Sequence, residues 1–394
     1  MLKGKTVVLG VTGSIAAYKI ANLARMLVKQ HCEVHVLMTQ NATNFINPIT
    51  FETLTKHKCL IDTFDRNFEF SVEHVALAKA ADVVMIAPAS ANVIGKIANG
   101  IADDMLTTTV MAFPCKKIVS PAMNHNMFHN PIVQDNIEKL KHYGYEIVEP
   151  AHGMLANGDM GDGRMPDEEL LFEYIVKEIA FEKDMTGKKV LVTAGATVEA
   201  IDPVRFITNH SSGKMGFALA KNAMLRGADV TLVMGKCDSE PPVFVNTVKV
   251  QSAKDMYDAV IERADSMDII VKAAAVADYR PKSVSSEKVK KQDGDMSIEL
   301  ERTDDILKTL GERKNGQFIC GFSMETENML ENSRKKLEKK NCDMIVANNL
   351  KQDGAGFGGN TNIVTLITKD DEVQLEKMTK DEVAEKIFDF ILSR

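Results

Sequence analysis

The segment at residues 202–216, which reads DPVRFITNHSSGKMG, combines hydroxyl, amide and basic side chains with glycines at a spacing suited to binding a phosphate. An apolar run at 190–196 precedes it and apolar residues at helical spacing follow it, so we expect a strand, a polar loop and a helix. Ser211 and Ser212 carry the side chains that cap helix starts. The helix dipole and the first-turn N–H groups would then face the ligand.

Gly213 and Gly216 would let a ligand approach the bare backbone at this helix start, and Lys214 adds a positive charge. The loop before the helix also holds three polar residues, Arg205, Asn209 and His210. Such side chains are costly to bury without partners, so their presence indicates a ligand with several hydrogen-bonding groups.

The first half of the chain carries a weaker phosphate signal at Gly13 and Ser14, which also precede a helical pattern. A Gly-Ser turn before a helix is commonly only a cap, but small residues at 89–91 would let a flat ring lie against the backbone. His74 and Asn124 are further candidates for chemistry. A lone histidine is more often a surface or capping residue than a catalyst, so neither residue is convincing by itself.

The elements that position these residues follow one plan in both halves. Residues 5–39 read as a strand, a turn, a helix and a second strand, and the second half repeats this order from residue 188. Further apolar runs indicate strands at 81–87, 116–121, 145–150, 268–275, 317–322 and 342–347, with a loop at 88–92. We therefore predict an α/β fold of two Rossmann-like domains with parallel sheets, whose ligands bind at the carboxyl ends of strands.

The length of 394 residues exceeds that of an average single core, so two domains are expected. We place their boundary in the charged stretch 181–188, after an amphipathic helix at 168–180, which gives domains at 1–182 and 188–394. Four glycines within 152–166 indicate a mobile flap over a site. The alternative for this segment is a solvated, turn-rich connector.

The composition excludes several classes of protein. An apolar fraction of 45% with 26% charged residues is typical of a soluble globular protein, and the net charge of -7 argues against general nucleic-acid binding. The sequence contains no apolar run of roughly 18 residues, so we expect neither a membrane span nor a signal peptide, and a cytoplasmic location. Six cysteines without a CxxC pair indicate buried hydrophobic residues instead of a metal cluster or disulfides.

Several longer blocks, taken together, resemble known families. GVTGSIAAYK, the Glu-His pair of SVEHVALAKAAD, APASAN and PAMNHNM are similar to the flavin-containing cysteine decarboxylases. DPVRFITNHSSGKMGFA, AAAVADYRP, EKVKK and VANN are similar to phosphopantothenate–cysteine ligases. Their order and the chain length resemble the bifunctional bacterial family of coenzyme A biosynthesis. The resemblance implies a flavodoxin-like, flavin-binding N-terminal domain and a nucleotide-binding ligase domain after it.

For the second half, the resemblance implies that CTP activates 4′-phosphopantothenate as an acyl-cytidylate with release of diphosphate, after which L-cysteine forms the amide. The matching nucleotide-binding positions are Gly195, Ser211, Ser212, Gly213, Gly216, Asp278, Lys288, Phe322, Lys336, Lys340 and Asn348. The positions matching the phosphopantothenate site are Arg205, Asn209, Ala274, Ala275 and Asp278.

The resemblance implies catalytic roles for two of these residues. Asn209 would stabilise the acyl intermediate, and Lys288 would stabilise the negative charge of the transition state. Without the resemblance, Lys336 and Lys340 would read as a solvated helix face, although residues four apart do share a face. Mg²⁺ is expected with the triphosphate because a metal neutralises oxygens that lysines share poorly. No cluster of carboxylates marks its site in the sequence.

For the first half, the resemblance implies FMN bound by Gly13, Ser14, Thr39, Ala89, Ser90 and Asn92. FMN would oxidise the thiol-bearing carbon of phosphopantothenoylcysteine, creating a thioaldehyde that accepts the electrons left by CO2. The resulting enethiol must then be protonated and reduced to 4′-phosphopantetheine. His74 matches the catalytic histidine of this family, and Asn124 matches the asparagine that grips the substrate carboxylate.

Asn157 departs from the family pattern. The family sequence ACGD reads ANGD here, so Asn157 occupies the place of the cysteine that protonates the intermediate. An amide cannot supply an acidic proton as a thiol can, so we expect binding and oxidation to persist and the final reduction to be impaired. Three explanations stay open: an engineered trap, a natural variant that recruits another acid, and a lost activity.

Three functions compete on this sequence. The leading one is a bifunctional enzyme, and the second is an active ligase whose flavin domain is impaired or serves only as a scaffold. The third is a regulatory flavin-binding protein, against which His74, Asn124 and a complete ligase half argue. The resemblance also implies a homo-oligomer of ligase dimers and decarboxylase trimers, up to a dodecamer, in which Arg205 reaches the substrate of a neighbouring subunit.

Overall fold

The computed structural model of the chain describes residues 2–63, 73–155, 158–290, 296–325, 328–349 and 359–394, without the side chains of residues 73, 74, 325 and 349. The chain divides into two compact units, Met1–Phe181 and Glu182–Arg394. Every helix in the described ranges is too short or too polar to cross a lipid bilayer.

The first unit is built on a parallel sheet. Its described strands are β1 (Thr6–Val11), β2 (Glu33–Met38), β3 (Val83–Ala89), β4 (Lys116–Pro121), β5 (Glu146–Ile147), β6 (Ala151–Met154) and β7 (Met160–Arg164). Its described helices are α1 (Ala17–Lys29), α2 (Pro48–Thr55), α3 (Glu73–Ala80), α4 (Ala91–Ala98), α5 (Met105–Ala112), α6 (His125–Phe128), α7 (Pro131–His142) and α8 (Glu168–Ile179), with a 3₁₀ turn at Gln40–Asn44.

Strands β1 to β5 pair in the order β2-β1-β3-β4-β5, all parallel, while β6 and β7 form a separate antiparallel hairpin. This order is that of the flavodoxin-like doubly wound fold, so the predicted fold class is confirmed. The strands read as continuous apolar runs because helices cover both faces, and β3 is buried along its whole length.

Two local predictions for this unit are wrong. The segment 88–92 is not a loop, because β3 continues to Ala89, Ser90 caps the next helix and α4 begins at Ala91. The strand predicted at 145–150 is reduced to the two residues of β5, since only Ile118 and Val119 of β4 pair with it.

The second unit has the larger sheet. Its described strands are β8 (Lys189–Ala194), β9 (Val198–Ala200), β10 (Phe206–Thr208), β11 (Asp229–Met234), β12 (Asn246–Lys249), β13 (Ile269–Lys272), β14 (Tyr279–Pro281), β15 (Leu300–Arg302), β16 (Phe318–Glu325), β17 (Met344–Asn349), β18 (Thr361–Asn362), β19 (Thr365–Ile367), β20 (Glu372–Gln374) and β21 (Met378–Thr379). Its described helices are α9 (Lys214–Leu225), α10 (Ala253–Ala264), α11 (Ile306–Arg313), α12 (Met329–Lys339) and α13 (Lys380–Leu392).

Among the described residues, the main sheet runs in the order β12-β11-β8-β13-β16-β17-β19-β20. The first six strands are parallel, as predicted, but β19 and β20 add antiparallel to the edge beside β17. The sheet is therefore parallel over six strands and becomes mixed at the edge beside β17. The carboxyl ends of β8, β13, β16 and β17 all lie on one edge of the sheet.

The start of α9 differs from its prediction. The residue before the helix is Gly213, with φ at 78°, and no side chain caps the helix, so the predicted capping by Ser211 and Ser212 is wrong. Instead the Ser211 hydroxyl accepts a hydrogen bond from the Gly213 N–H at 3.4 Å. A Cβ on Gly216 would lie 2.5 Å from the Cβ of Ala194, so this glycine permits close packing of α9 on β8.

Candidate functional site

Residues from the segments that follow the carboxyl ends of β1, β2, β3 and β4 converge on one cavity of about 500 Å³. It is lined by five of the six residues predicted to bind a flavin, Gly13, Ser14, Thr39, Ser90 and Asn92. The sixth, Ala89, is fully buried at the end of β3, where its carbonyl accepts a hydrogen bond from the Ala122 N–H. The cavity therefore gathers side chains that are distant in the sequence.

Thr12 joins the segment after β1 to the segment after β3, and it was not among the residues predicted from the sequence. Its hydroxyl donates to the Pro88 carbonyl at 2.6 Å and accepts from the Ser90 N–H at 2.9 Å. This places the turn after β1 beside the start of α4. A Cβ on Gly13 would lie 2.9 Å from the Cβ of Asn41, so only glycine fits this wall without a shift of its neighbour.

Asn124 lines an adjoining cavity of about 560 Å³, which shares Ser14, Ala122 and Met123 with the first. Asn124 precedes α6, and its Oδ1 accepts a hydrogen bond from the Asn126 N–H at 2.9 Å. Its Nδ2 has no acceptor within the described residues, so the amide keeps donors for a ligand in the cavity. A carboxylate is a suitable acceptor for such donors.

The glycine-rich segment folds as the hairpin β6–β7 beside Asn124. The Met123 N–H donates to the Gly163 carbonyl at 3.0 Å, and the Asp162 N–H donates to His125 Nδ1 at 3.1 Å. Gly163 has φ at 110°, and a Cβ there would lie 2.4 Å from the Met123 carbonyl oxygen. This glycine thus serves packing on the chain before α6, while the neighbouring Leu155 lines the cavity.

The structure does not place two predicted residues of this site. Asn157 lies outside the described residues. His74 lies in the first turn of α3, and its side chain is outside the described part of the chain.

In the second unit, three predicted nucleotide-binding residues, Asp278, Lys336 and Lys340, line one cavity of about 390 Å³. Lys340 forms an ion pair with Asp305, and the Lys336 ammonium donates to the Phe322 carbonyl at 2.9 Å. The two lysines predicted to share a helix face therefore do share a cavity, although α12 ends just before Lys340.

Lys272 lines the same cavity, and sequence reasoning missed it. It ends β13, so it brings a charge to the carboxyl edge of the sheet. Burial lowers the pKa of its ammonium to about 8; Lys336 and Lys340 act in the same direction, whereas Asp305 and Asp278 oppose them. The sequence feature that could have identified Lys272 is a lysine at the end of an otherwise apolar strand.

Six of the other eight predicted nucleotide-binding residues line a second, smaller cavity of about 70 Å³, whereas Gly195 and Lys288 do not. The six are Ser211, Ser212, Gly213, Gly216, Phe322 and Asn348. The two cavities adjoin at the end of β13, because Lys272 lines the larger one and the next residue, Ala273, lines the smaller.

Asn209 lies against the chain that follows β13. Its Nδ2 donates to the Ala275 carbonyl at 3.2 Å, and the Ala274 N–H donates to the Thr193 hydroxyl at 3.0 Å. Thus Asn209, Ala274 and Ala275, predicted to share a substrate, do lie together. Gly195, predicted near the nucleotide, has φ at 78° and packs against Cys237, whose Sγ would lie 2.6 Å from an added Cβ.

Arg205 binds within its own chain. Its guanidinium donates to Asp202 Oδ2 at 2.5 and 3.0 Å and to the Val289 carbonyl at 2.6 Å. The two hydrogen bonds from the guanidinium to Asp202 hold the pKa of that carboxyl well below its usual range. Because Val289 follows Lys288, Arg205 fixes the backbone next to that exposed lysine.

Two protein-family models match the chain, one on each unit. Residues 1–180 match the family model "Flavoprotein", and residues 185–394 match "DNA/pantothenate metabolism flavoprotein C-terminal domain". Coenzyme A biosynthesis bifunctional protein CoaBC of Bacillus subtilis (strain 168) is 48% identical over 373 residues, which are 94% of this chain and 92% of that protein.

The protein of the same name from Vibrio cholerae serotype O1 is 43% identical over 393 residues, 99% of this chain and 98% of that one. A crystal structure of the C-terminal domain of Coenzyme A biosynthesis bifunctional protein CoaBC has 49% sequence identity and a TM-score of 0.46, and the match covers 52% of this chain and 95% of that domain. On the identity and coverage of its full-length relatives, the chain belongs to the family of bifunctional coenzyme A biosynthesis proteins, which unite phosphopantothenate–cysteine ligase and phosphopantothenoylcysteine decarboxylase activities.

Proposed function

We propose that the second unit, residues 188–394, joins L-cysteine to 4′-phosphopantothenate with CTP and Mg²⁺, and that residues 1–182 decarboxylate the product with FMN. The observation that carries the ligase assignment is the convergence of Lys272, Lys336 and Lys340 on one cavity beside a helix start. Phosphoryl-centre attack depends mostly on positioning and on neutralising charge, which these residues supply.

The deciding experiment is the mass analysis of a mixture of the protein with 4′-phosphopantothenate, L-cysteine, CTP and Mg²⁺. Phosphopantothenoylcysteine and diphosphate are expected from the ligase, together with an oxidised enethiol product from the flavin unit. A mixture in which CTP is not consumed contradicts the proposal.

Within the ligase, each group has a distinct task. The lysines of the larger cavity attract the triphosphate, and the carboxylates of Asp278, Asp304 and Asp305, which line the same cavity, provide the oxygen ligands that Mg²⁺ prefers. Asn209, held at Ala275, is placed to donate to the acyl intermediate. Lys288 stabilises the negative charge of the transition state. It lies in the segment whose backbone Arg205 holds through the Val289 carbonyl.

Lys272 should make CTP affinity depend on pH. The nucleotide binds the charged ammonium, so the affinity should be full below the pKa of about 8 and should fall as the pH rises through it. The affinity should fall by about tenfold per pH unit until the pH exceeds the pKa of Lys272 in the CTP complex, which the bound anion raises. Calorimetric titrations at several pH values, in buffers of different ionisation enthalpy, measure both the affinity and the proton uptake.

The matched control for this prediction is Lys272→Arg, because a guanidinium stays charged over the same range. The other charged groups facing Lys272, namely Asp278, Asp305, Lys336 and Lys340, are unchanged in that variant. A CTP affinity that stays flat through pH 8 in the unaltered protein would contradict the role of Lys272.

The residues of the first unit fit FMN. Gly13, the hydroxyl groups that follow the strand ends and the start of α4 suit a phosphate and a ring. The cavity that contains Asn124 adjoins them. FMN, when bound, supplies the two-electron oxidation that the amino-acid side chains cannot perform. Asn124 holds the substrate carboxylate through its Nδ2, and the hairpin β6–β7 borders the cavity and limits the access of water.

Gly13→Ala should reduce the flavin content of the purified protein by about tenfold, since a Cβ at 2.9 Å from Asn41 must displace the wall of the cavity. Flavin absorbance per protein chain and the melting temperature measure the effect. Gly95→Ala is the matched control, because a Cβ there meets nothing closer than Asn136 Nδ2 at 3.7 Å. Equal flavin content in the two variants would show that Gly13 does not contribute to the flavin site.

We also propose a homo-oligomer. Large apolar side chains are exposed on each unit, including Tyr18 and Ile15 on the first and Val204 and Phe206 on the second. Such side chains commonly mark surfaces that another protein covers. Light scattering of the purified protein tests the assembly, and a monomeric mass would contradict it.

A further inference from the structure

Lys380, at the start of α13, is a buried lysine without a partner. Only 9% of the residue is exposed, yet within the described part of the chain its ammonium forms no hydrogen bond and no ion pair. Buried charges in proteins are normally paired, since an unpaired one loses its hydration without compensation. An anion that is brought by a ligand would provide the missing partner.

Two contacts, both through Asn360, place Lys380 near Lys214 at the start of α9. Strand β18 pairs with β21, and the Lys380 N–H donates to the Asn360 carbonyl at 2.9 Å. The side-chain Oδ1 of Asn360 accepts from the Lys214 ammonium, also at 2.9 Å. Asn360 therefore holds both lysines near each other, and burial, followed by the charge of Lys214, lowers the pKa of Lys380.

Lys214 and Lys380 both line the cavity of about 70 Å³ that contains the start of α9. None of the described residues that line it is acidic. The N–H groups of Met215 and Gly216 have no acceptor among the described residues, and α9 is 12 residues long, so its dipole favours an anion here. Two ammonium groups and free N–H groups around a small space suit one tetrahedral dianion.

We propose that Lys380 is a phosphate-binding residue of the ligase, which with Lys214 and the start of α9 holds one phosphoryl group of a substrate. This assignment rests on the proposed ligase function, in which both CTP and 4′-phosphopantothenate carry such a group. The two sources share one oxyanion chemistry, and binding measurements separate them.

The test compares each ligand with its phosphate-free form. Calorimetry gives the affinities of CTP and cytidine, and of 4′-phosphopantothenate and pantothenate, for the unaltered protein and for Lys380→Met. The preference for one phosphorylated ligand should fall by about 10- to 100-fold, as expected for losing a charged hydrogen bond. Lys380→Arg should keep most of the preference, and Lys386→Met is the control because Lys386 is exposed on the same helix.

Each outcome decides the proposal. A loss confined to the CTP pair assigns the cavity to the nucleotide, and a loss confined to the other pair assigns it to the acid. Unchanged preferences in a Lys380→Met protein with a normal melting temperature overturn the role of Lys380 alone. An unaltered protein that binds none of the ligands overturns the ligase function as well.

A second measurement needs no variant. Trace acylation of lysines in the unaltered protein, read by peptide mass spectrometry, should show that saturating CTP or 4′-phosphopantothenate protects Lys380 and leaves Lys386 reactive. Equal reactivity of Lys380 with and without both ligands overturns the proposal even where Lys380→Met does not fold.

Discussion

Asn209→Asp should abolish amide formation while CTP affinity stays close to that of the unaltered protein. The change replaces the Nδ2 donor, now 3.2 Å from the Ala275 carbonyl, with a carboxylate that repels both that carbonyl and the phosphate of the acyl intermediate. Removing one donor of this kind costs about 10²–10³ in rate, and the added negative charge increases the loss. Product mass and diphosphate release measure ligation, and calorimetry measures CTP binding.

Asn341→Asp provides the matched control. Asn341 Nδ2 also donates to a main-chain carbonyl, that of Gly311 at 2.9 Å, but it lines neither ligand cavity. This variant should ligate at the normal rate once corrected for any change in melting temperature. Unimpaired ligation by Asn209→Asp would remove Asn209 from its assigned role.

Asn157→Cys should restore the last step of decarboxylation. A thiol near its ordinary pKa can protonate the enethiol, and general acid catalysis of this kind is worth about 10²–10⁴ in rate. Asn157 lies outside the described residues, and its assignment to this step rests on its match to the family cysteine in ANGD. The variant should convert phosphopantothenoylcysteine to 4′-phosphopantetheine, and the flavin absorbance should recover after each turnover.

Asn157→Ser separates acidity from size, because a serine hydroxyl has nearly the shape of a thiol and does not ionise in this range. Like the unaltered protein, it should accumulate the oxidised enethiol and leave the flavin reduced. Rapid formation of 4′-phosphopantetheine by the unaltered protein would show that another group supplies the proton, and Asn157 would not limit the reaction.

The sequence alone was sufficient for the fold class, and five of the six residues that it assigned to a flavin line one cavity. Apolar runs and helical spacing are local properties, so they located β4 at its observed bounds and α8 to within one residue. In a parallel sheet all strand ends of one kind share an edge, so Gly13, Thr39 and Ser90, which follow three such ends, had to lie close together there.

Predictions from local sequence patterns were incomplete where a residue packs against, or pairs with, a segment that is distant in the sequence. Gly216 reads as a ligand-binding glycine and does line a cavity, but only the structure shows that it also packs against the Cβ of Ala194. The antiparallel edge formed by β19 and β20 depends on pairing between separate strands, which the apolar pattern of a single strand does not specify.

The residue types that could bind phosphate, and the strand ends that could present them, were determined by the sequence itself. The tertiary structure decided which of the many lysines lie in cavities: Lys272 through the end of β13, and Lys380 through the pairing of β18 with β21. The physical reason is that burial and charge proximity are set by contacts between remote segments, whereas the periodicity of apolar residues reports only on their immediate neighbours.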